Sequence, residues 1–282
     1  MKSPGKPMST FGLVCLLLLI FNTEAATFHE VEDEREFDYL EGSGKGPDHW
    51  GELHEEWAAC KNGDMQSPID LLNERVQLVP GLGRLKRSYK PSNAILKNRG
   101  HDIALEWGEG AGSININGTD YVLEQCHWHS PSEHTLNGKR FDLELHMVHV
   151  SPDNTTANQI AVIGILYKIG RPDDFLSELK KGIWSIADSK NEVGVGVVDP
   201  RHIKIGSRKY YRYMGSLTVP PCTQGVIWTI NTKVRTVSKG QVKALRDAVH
   251  DYAEQNARPL QPLNKREIHL YRPRDLTRDR RN

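Results

Sequence analysis

The sequence predicts a β-rich domain with few helices, and three observations support this prediction. Short runs of apolar or alternating residues recur between turn-forming residues, as is typical of strands. Helical periodicity is convincing in only two segments. No repeat, low-complexity block or interdomain linker follows residue 47, so one domain is expected rather than two.

The strand prediction rests on a series of apolar segments. They cover residues 94–97, 103–107, 113–116, 121–129, 143–150, 160–169 and 226–232. The two predicted helices cover residues 173–186 and 238–253. Ser238 suits the N-cap of the second helix, because its hydroxyl can accept a hydrogen bond from a backbone N–H of the first turn. Val242, Leu245 and Val249 recur along one face of that helix.

The charge balance does not favour either of two classes of partner. The chain has 282 residues, with 37 basic and 36 acidic side chains, so nothing indicates binding to nucleic acid or to an anionic membrane surface. The acidic stretch 30–41 and the glycine-rich residues after it predict a solvated surface arm. The basic residues 272–282 predict a frayed terminus.

The N-terminus has the pattern of a secretory signal. Lys2 and Lys6 precede an apolar run over residues 11–21, which is shorter than the roughly 20 residues that span a bilayer. Small residues follow, with Ala25 and Ala26 at the expected cleavage position. We therefore expect residues 1–25 to be a cleaved signal peptide and residues 26–282 to form the mature domain, secreted and without a membrane anchor. A vacuole or plastid reached through the secretory pathway is the alternative destination.

Two glycosylation sequons agree with a secretory route. They are Asn117-Gly118-Thr119 and Asn154-Thr155-Thr156, and both lie in turn-like stretches where a glycan would be accessible. We expect glycans at Asn117 and Asn154.

Cysteine usage points to one disulfide bond. Removal of the signal leaves Cys60, Cys126 and Cys222, an odd number, so one thiol must stay free or pair with another chain. If residues 125–129 form a strand, Cys126 points to the face opposite His127, and it is expected to be a small buried apolar side chain. Cys60 and Cys222 are then the candidate pair.

Histidines are concentrated in one part of the chain, where five of the twelve lie between residues 127 and 149. His127 and His129 share a face if they lie on a strand, and His146 completes a cluster if residues 144–150 form the antiparallel neighbour. Three imidazoles with one open position are the ligand set of a catalytic zinc ion. The sequence therefore predicts a Zn²⁺ site. His134 and His149 are expected to be buried structural histidines instead.

Two polar residues lie where they could orient the predicted ligands. Gln125 precedes His127 by two positions, and Glu144 precedes His146 by two positions, so each shares a strand face with its histidine. Imidazoles bound to a metal usually donate their second N–H to such acceptors.

At these residues the chain resembles the α-class carbonic anhydrases over nearly its whole mature length. Further matching motifs are GPDHWG at 46–51, QSPID at 66–70, NRGH at 98–101, SEHT at 132–135, SLTVPPC at 216–222 and NARPLQPLN at 256–264. The threonine loop is similar to that of the plant and bacterial branch, which includes nectar and tuber relatives.

The resemblance implies a mainly β fold of the α+β class, a single domain on a large, twisted, mostly antiparallel sheet with short peripheral helices. It also implies the Cys60–Cys222 bridge. The implied activity is zinc-dependent reversible hydration of carbon dioxide to bicarbonate and a proton. Thr218 and Glu133 would orient the attacking hydroxide, and His101 would shuttle the proton.

The resemblance to this family also implies roles for several other residues. The backbone carbonyl of Asn256 would orient His129, and Tyr39 could be the family's cavity tyrosine, although the local spacing differs by about two residues. Arg99 departs from the asparagine often found beside the shuttle. The implied apolar substrate wall consists of Val148, Val162, Leu217 and Trp228, with Val219 where many relatives carry a second threonine.

Two other functions compete with this hypothesis. The first is a storage or binding protein that keeps the fold with little hydratase activity, and such relatives commonly lose a zinc histidine. The second is a redox protein, which would need an accessible reactive cysteine. The expected partner is a small molecule, and the expected assembly is a monomer or small homo-oligomer.

Overall fold

A computed structural model describes residues 36–189 and 191–273. The predicted signal segment, most of the acidic arm and the end of the basic tail lie outside the described residues. The described strands are β1 Asp70–Leu71, β2 Val76–Leu78, β3 Lys86–Arg87, β4 Ser92–Asn98, β5 Ile103–Trp107, β6 Ser113–Ile116, β7 Thr119–His129, β8 Thr135–Leu136, β9 Leu143–Val150, β10 Ile160–Ile169, β11 Glu192–Val198, β12 Tyr210–Ser216, β13 Gln224–Asn231, β14 Arg235–Val237 and β15 Ile268–Tyr271. The described α-helices are α1 Trp50–Leu53, α2 Ala59–Asn62, α3 Asp174–Ser185 and α4 Lys239–Ala248.

One large sheet dominates the molecule, with the strand order β11-β4-β5-β7-β9-β10-β13-β12-β15-β2. Three further strands belong to this sheet outside that order. β14 pairs with β10, β6 pairs with β7, and β3 pairs with β6. Most neighbours are antiparallel, whereas β10–β13, β10–β14 and β15–β2 are parallel. The predicted mainly β fold with short helices is confirmed.

The two faces of the sheet carry separate apolar clusters, because successive strand side chains alternate between faces. One face packs against α3 and α4 and buries side chains such as Cys126, Trp128 and Met147. The other face buries Val148 and Trp228 together with other apolar side chains. His127, His129 and His146 alternate with the first group, so they lie on the face away from the two longer helices.

The predicted helices form, with one correction. α3 begins after its N-cap Asp173, and α4 begins after Ser238, where Gln241 completes a capping box. However, α4 ends at Ala248 rather than at residue 253. Val249 is extended, and the Ala248 carbonyl accepts a hydrogen bond from the Asn98 side chain at 2.6 Å, which satisfies a terminal acceptor.

All seven predicted strand segments fall on strands, but several strands were not predicted. β11 is the clearest case, because it contains Gly194 and Gly196 and its pairing with β4 shifts register between them. Glycine weakens a strand pattern and often marks such a bulge. No helix in the described residues is long and apolar enough to span a bilayer.

The predicted disulfide bond between Cys60 and Cys222 is confirmed. It lies in a third apolar cluster that contains Phe37, Trp50 and Trp57. Cys126 is a buried free thiol, as expected from the strand alternation.

Candidate metal centre

The register of β7 and β9 brings the three predicted histidines together. The strands are antiparallel, and His127 lies directly opposite His146. His129 follows His127 by two positions on the same face. All three side chains are buried, and the candidate ligand atoms, one from each residue, lie within 4.8 Å of one another.

Each imidazole has an acceptor at one ring nitrogen. Gln125 Oε1 lies 2.8 Å from His127 Nδ1, and Glu144 Oε1 lies 2.9 Å from His146 Nε2. The backbone oxygen of Asn256 lies 2.7 Å from His129 Nδ1. An acceptor at one nitrogen favours the tautomer with its proton there, which leaves the lone pair on the other nitrogen.

The chemistry of this cluster fits a zinc ion. His129 Nε2 is buried and has no hydrogen-bond partner within the described residues. Buried polar atoms are nearly always paired, so an unsatisfied nitrogen at the centre of three imidazoles indicates a missing ligand partner. Neutral imidazole nitrogens are preferred zinc ligands.

Glu144 connects the cluster to a second histidine. Its Oε1 also lies 2.8 Å from His134 Nδ1, and its Oε2 accepts hydrogen bonds from the backbone N–H groups of Glu133 and His134. Burial opposes ionisation of this carboxyl, yet the neighbouring His134 and His146 hold the pKa of Glu144 well below its usual range. Gly164 leaves space for the Glu144 carboxylate in this position, because a Cβ at residue 164 would lie only 3.0 Å from Glu144 Oε1.

His134 and His149 are both buried in hydrogen-bond networks of their own. His134 Nε2 lies 2.6 Å from the Tyr213 hydroxyl, which lies 2.8 Å from Ser67 Oγ. His149 Nε2 lies 2.7 Å from the Tyr89 hydroxyl, and its Nδ1 lies 3.1 Å from the Ala161 oxygen. Burial lowers the pKa of His149 to about 4.

Glu133, one of the two residues predicted to orient the hydroxide, lies beside the cluster, and within the described residues it forms no hydrogen bond with Thr218. Its Oε1 accepts a hydrogen bond from the backbone N–H of Arg258, and its Oε2 has no hydrogen-bond partner in the described part of the chain. Oε2 instead lies 3.7 Å from His129 Nε2 and 4.0 Å from His146 Nδ1. The carboxylate is therefore turned toward the nitrogens of the candidate ligands.

His101, the predicted shuttle, is only 1% exposed. Its ring centroid lies 5.2 Å from that of Phe37, and its Nε2 lies 3.7 Å from Asp102 Oδ2. Burial opposes ionisation of Asp102, yet the Arg99 guanidinium and His101 hold the pKa of Asp102 well below its usual range. The predicted cavity tyrosine, Tyr39, packs edge-on against Trp50 and Phe37.

Most of the predicted substrate wall forms one apolar group. Val162 pairs with Val148 on one side and with Trp228 on the other, and Leu217 belongs to the same buried cluster. The Trp228 ring centroid lies 4.8 Å from that of His146. Val219 is placed differently, since it packs in the third cluster around the disulfide bond.

Two residues have positioning contacts that sequence reasoning missed. The Asn256 side chain donates hydrogen bonds to the backbone oxygens of His101 and Trp128 and accepts one from Ser130 N. The guanidinium of Arg258 donates to Gln66 Oε1 and to the backbone oxygens of Ser67 and Cys60. Both sets of contacts join segments that are distant in sequence, and no local sequence pattern predicts them.

Comparisons with known proteins agree on one family. The sequence profile of the eukaryotic-type carbonic anhydrases matches residues 45–272. The chain is 59% identical to alpha carbonic anhydrase 7 of Arabidopsis thaliana over 264 residues, which cover 93% of this chain and 94% of that protein. It is 51% identical to carbonic anhydrase Nec1 of Nesocodon mauritianus over 267 residues, 94% of this chain and 96% of that protein.

A solved structure of dioscorin complexed with ascorbate has the same fold, with a TM-score of 0.82 and 47% identity. The match covers 85% of this chain and 99% of that one. The predicted similarity to nectar and tuber relatives is confirmed by these comparisons.

Proposed function

Because the chain belongs to the eukaryotic-type carbonic anhydrase family, we propose that it catalyses the zinc-dependent reversible hydration of carbon dioxide to bicarbonate and a proton. One observation carries this proposal. Three buried imidazoles converge on one face of the β7–β9 pair, and each has a separate acceptor at its other ring nitrogen.

His127, His129 and His146 would hold the metal. At such a neutral three-histidine site, zinc supplies the Lewis acidity that makes water a nucleophile near pH 7, for which carbonic anhydrases are the reference case. Gln125, Glu144 and the backbone carbonyl of Asn256 fix the ring orientations, because each accepts from the outer ring nitrogen of one ligand.

The groups around the ligands would orient and exclude water. We assign Glu133 Oε2, which is buried and unsatisfied within the described residues, as the acceptor for the Thr218 hydroxyl during turnover. Thr218 would in turn accept a hydrogen bond from the attacking oxygen. The apolar wall of Val148, Val162, Leu217 and Trp228 suits carbon dioxide, which is small and apolar.

The proton would leave through His101. An imidazole with a pKa near 6.5 transfers protons efficiently at neutral pH. In the present arrangement Phe37 covers that ring, so we propose that exchange with bulk water requires the Phe37 side chain to move.

Metal analysis combined with a stopped-flow carbon dioxide hydration assay tests the proposal. We expect one zinc ion per chain and rapid hydration. The His146→Ala variant should lose most of the zinc and the activity, since only two imidazoles remain. His149→Gln is the matched control, because it also removes a buried histidine of β9, and it should keep both. A His146→Ala protein that retained zinc and activity would contradict the ligand assignment.

A storage or binding role is the second candidate, and the similarity to dioscorin favours it. The same assay separates the two functions. Stoichiometric zinc with negligible turnover would support a binding protein that retains the site, whereas turnover that depends on His146 would support the enzyme.

We further propose that the protein is secreted after removal of residues 1–25, with a vacuole or plastid as the alternative destination. Exposure of both predicted sequon asparagines, Asn117 and Asn154, in turns supports glycosylation. A monomer or small homo-oligomer is the proposed assembly. Mass spectrometry of the secreted protein, before and after glycosidase treatment, tests the mature N-terminus and both glycans.

A further inference from the structure

A small cavity of about 50 Å³ lies on the sheet face opposite the three histidines. Thr229 forms part of its wall, and its neighbour Trp228 packs against His146, so strand alternation places the two side chains on opposite faces. We call it the arginine cavity because Arg84, Arg87 and Arg208 line it. None of the described residues that line it is acidic.

A fourth arginine, Arg212, lies behind the wall of this cavity and contacts two of the wall residues, Thr229 and Tyr210. Arg212 is only 8% exposed, and its Nε donates to Thr229 Oγ1 at 2.9 Å. Its guanidinium carbon lies 5.1 Å from the centroid of the Tyr210 ring, which is also part of the wall. Burial lowers the pKa of Arg212 from its ordinary value.

Within the described residues, none of these four arginines forms an ion pair with a carboxylate. The arginine ion pairs among residues 36–189 and 191–273 involve Arg99 and Arg201. A buried charge such as that of Arg212 is normally paired, because desolvation is costly, and the exposed Arg84, Arg87 and Arg208 add like charges that repel one another. The cluster is not a consequence of a basic chain, since the net charge of the whole protein is only +1.

The remaining wall groups can also donate to an anion. Ser207 Oγ accepts a hydrogen bond from Lys209 N, and Thr229 Oγ1 accepts one from Arg212, so each hydroxyl hydrogen is left for a ligand. A cavity needs about 10–15 Å³ to hold one water, so this one has room for a small oxyanion. Guanidinium groups bind tetrahedral oxyanions through paired N–H donors.

We propose that the arginine cavity binds a doubly charged tetrahedral oxyanion, either free phosphate or sulfate or the terminal phosphate of a monoester. The site is separate from the candidate metal centre and does not depend on the proposed hydratase activity.

Thermal unfolding at constant ionic strength, set with sodium chloride, tests this proposal. The unfolding midpoint of the unmodified protein should rise with inorganic phosphate and with sulfate beyond its value in chloride alone. A preference for phenyl phosphate over inorganic phosphate would identify a monoester as the natural ligand, and equal or weaker binding of the ester would identify the free ion. Equal midpoints in phosphate, sulfate, phenyl phosphate and chloride would overturn the proposal.

Substitutions of two lining arginines test whether the anion binds in the arginine cavity. Arg84→Gln and Arg208→Gln change exposed side chains and should each weaken phosphate binding about tenfold, as expected for the loss of one charge-assisted contact. Arg171→Gln, an exposed arginine outside the cavity, is the matched control and should leave the affinity unchanged. Unaltered affinity in both cavity variants would refute the assignment.

Two further measurements complete the test. Arg212→Gln should weaken the phosphate response, because it removes the positive charge behind the wall and the N–H that fixes Thr229; if it fails to fold, the two exposed variants still decide the matter. Removal of metal with a chelator should leave the response intact. A response that disappears with the metal would place the anion at the histidine cluster and overturn the proposal.

Discussion

Phe37 and His101 are in contact, and in the proposed reaction this contact would control how the proton leaves. With the His101 ring 1% exposed, water has almost no access to it, and the ring of Phe37 covers one side. Proton transfer to buffer requires contact with solvent, so the mobility of one aromatic side chain would limit turnover.

Substitutions of His101 and of Phe37 are expected to change the hydration rate in opposite directions. His101→Ala should slow hydration about a hundredfold, and added imidazole should restore part of the rate, because a soluble imidazole can replace the missing proton acceptor. Phe37→Ala should raise the turnover by opening His101 to water. Stopped-flow rates at several imidazole concentrations measure both. A His101→Ala rate that is unchanged and insensitive to imidazole would exclude His101 as the shuttle.

His149 makes the folded protein sensitive to acid. Its pKa is lowered to about 4 in the folded protein, whereas an unfolded histidine has a pKa near 6.5. Between these values the unfolded state binds more protons, so this contribution to stability is complete above pH 6.5 and is lost as the pH falls toward 4. The loss is on the order of 3 kcal/mol.

The His149→Gln variant should therefore show a flatter dependence of unfolding free energy on pH between 6.5 and 4. Denaturant titrations of both proteins at several pH values measure the difference. Parallel curves for the two proteins would show that His149 is not the source of the acid sensitivity in this range.

Whether a residue of the site could be predicted from the sequence depends on how far away its partners lie along the chain. The three candidate ligands and their acceptors Gln125 and Glu144 could be predicted because strand alternation relates neighbours two positions apart. The side-chain contacts of Asn256 could not, since they reach segments more than a hundred residues away. The packing of Val219 in one cluster with Phe37, Trp50 and Trp57 was missed for the same reason, because those residues are also distant in sequence.

At the scale of elements, one glutamine joins the N-termini of both longer helices. Gln241 Oε1 accepts hydrogen bonds from the backbone N–H groups of Ser238 and Asp173, and its Nε2 donates to the Asp173 oxygen. It therefore completes the capping box of α4 and also satisfies two backbone groups before α3. The Ser238 cap was predicted from the sequence, whereas the Asp173 cap and this connection between the helices were not.

Loss of this glutamine should cost more than loss of an ordinary cap. Ser238→Ala should lower the free energy of unfolding by about 1 kcal/mol. Gln241→Ala should lower it by about 2 kcal/mol, because the capping box of α4 is lost and the partly buried N–H of Asp173 loses its acceptor. Lys243→Ala, at an exposed position of α4, is the control and should change it by less than about 0.5 kcal/mol. Equal costs for Ser238→Ala and Gln241→Ala would contradict the bridging role.

At the scale of the whole molecule, the Cys60–Cys222 bond closes a long loop. The two cysteines are 162 residues apart in sequence. In the chain-entropy account, a bridge over a loop of this length stabilises the folded state by about 5 kcal/mol. It also ties α2 to the loop that carries Thr218.

Replacement of both cysteines by alanine should lower the free energy of unfolding by about 5 kcal/mol, measured by denaturant titration under non-reducing conditions. Cys126→Ala is the control, since it removes a buried sulfur without opening a loop and should cost about 1 kcal/mol. A double variant as stable as the control would show that loop closure contributes little.

The opposition of His127 and His146 across β7 and β9 would link the proposed zinc binding to correct folding. A shift of one residue between these strands would turn one set of side chains to the other face, and the three imidazoles could not meet. Only correctly paired chains would then bind zinc tightly, and the bound ion would stabilise those chains over misaligned ones. The zinc content of a freshly folded preparation would therefore measure the yield of correctly paired chains.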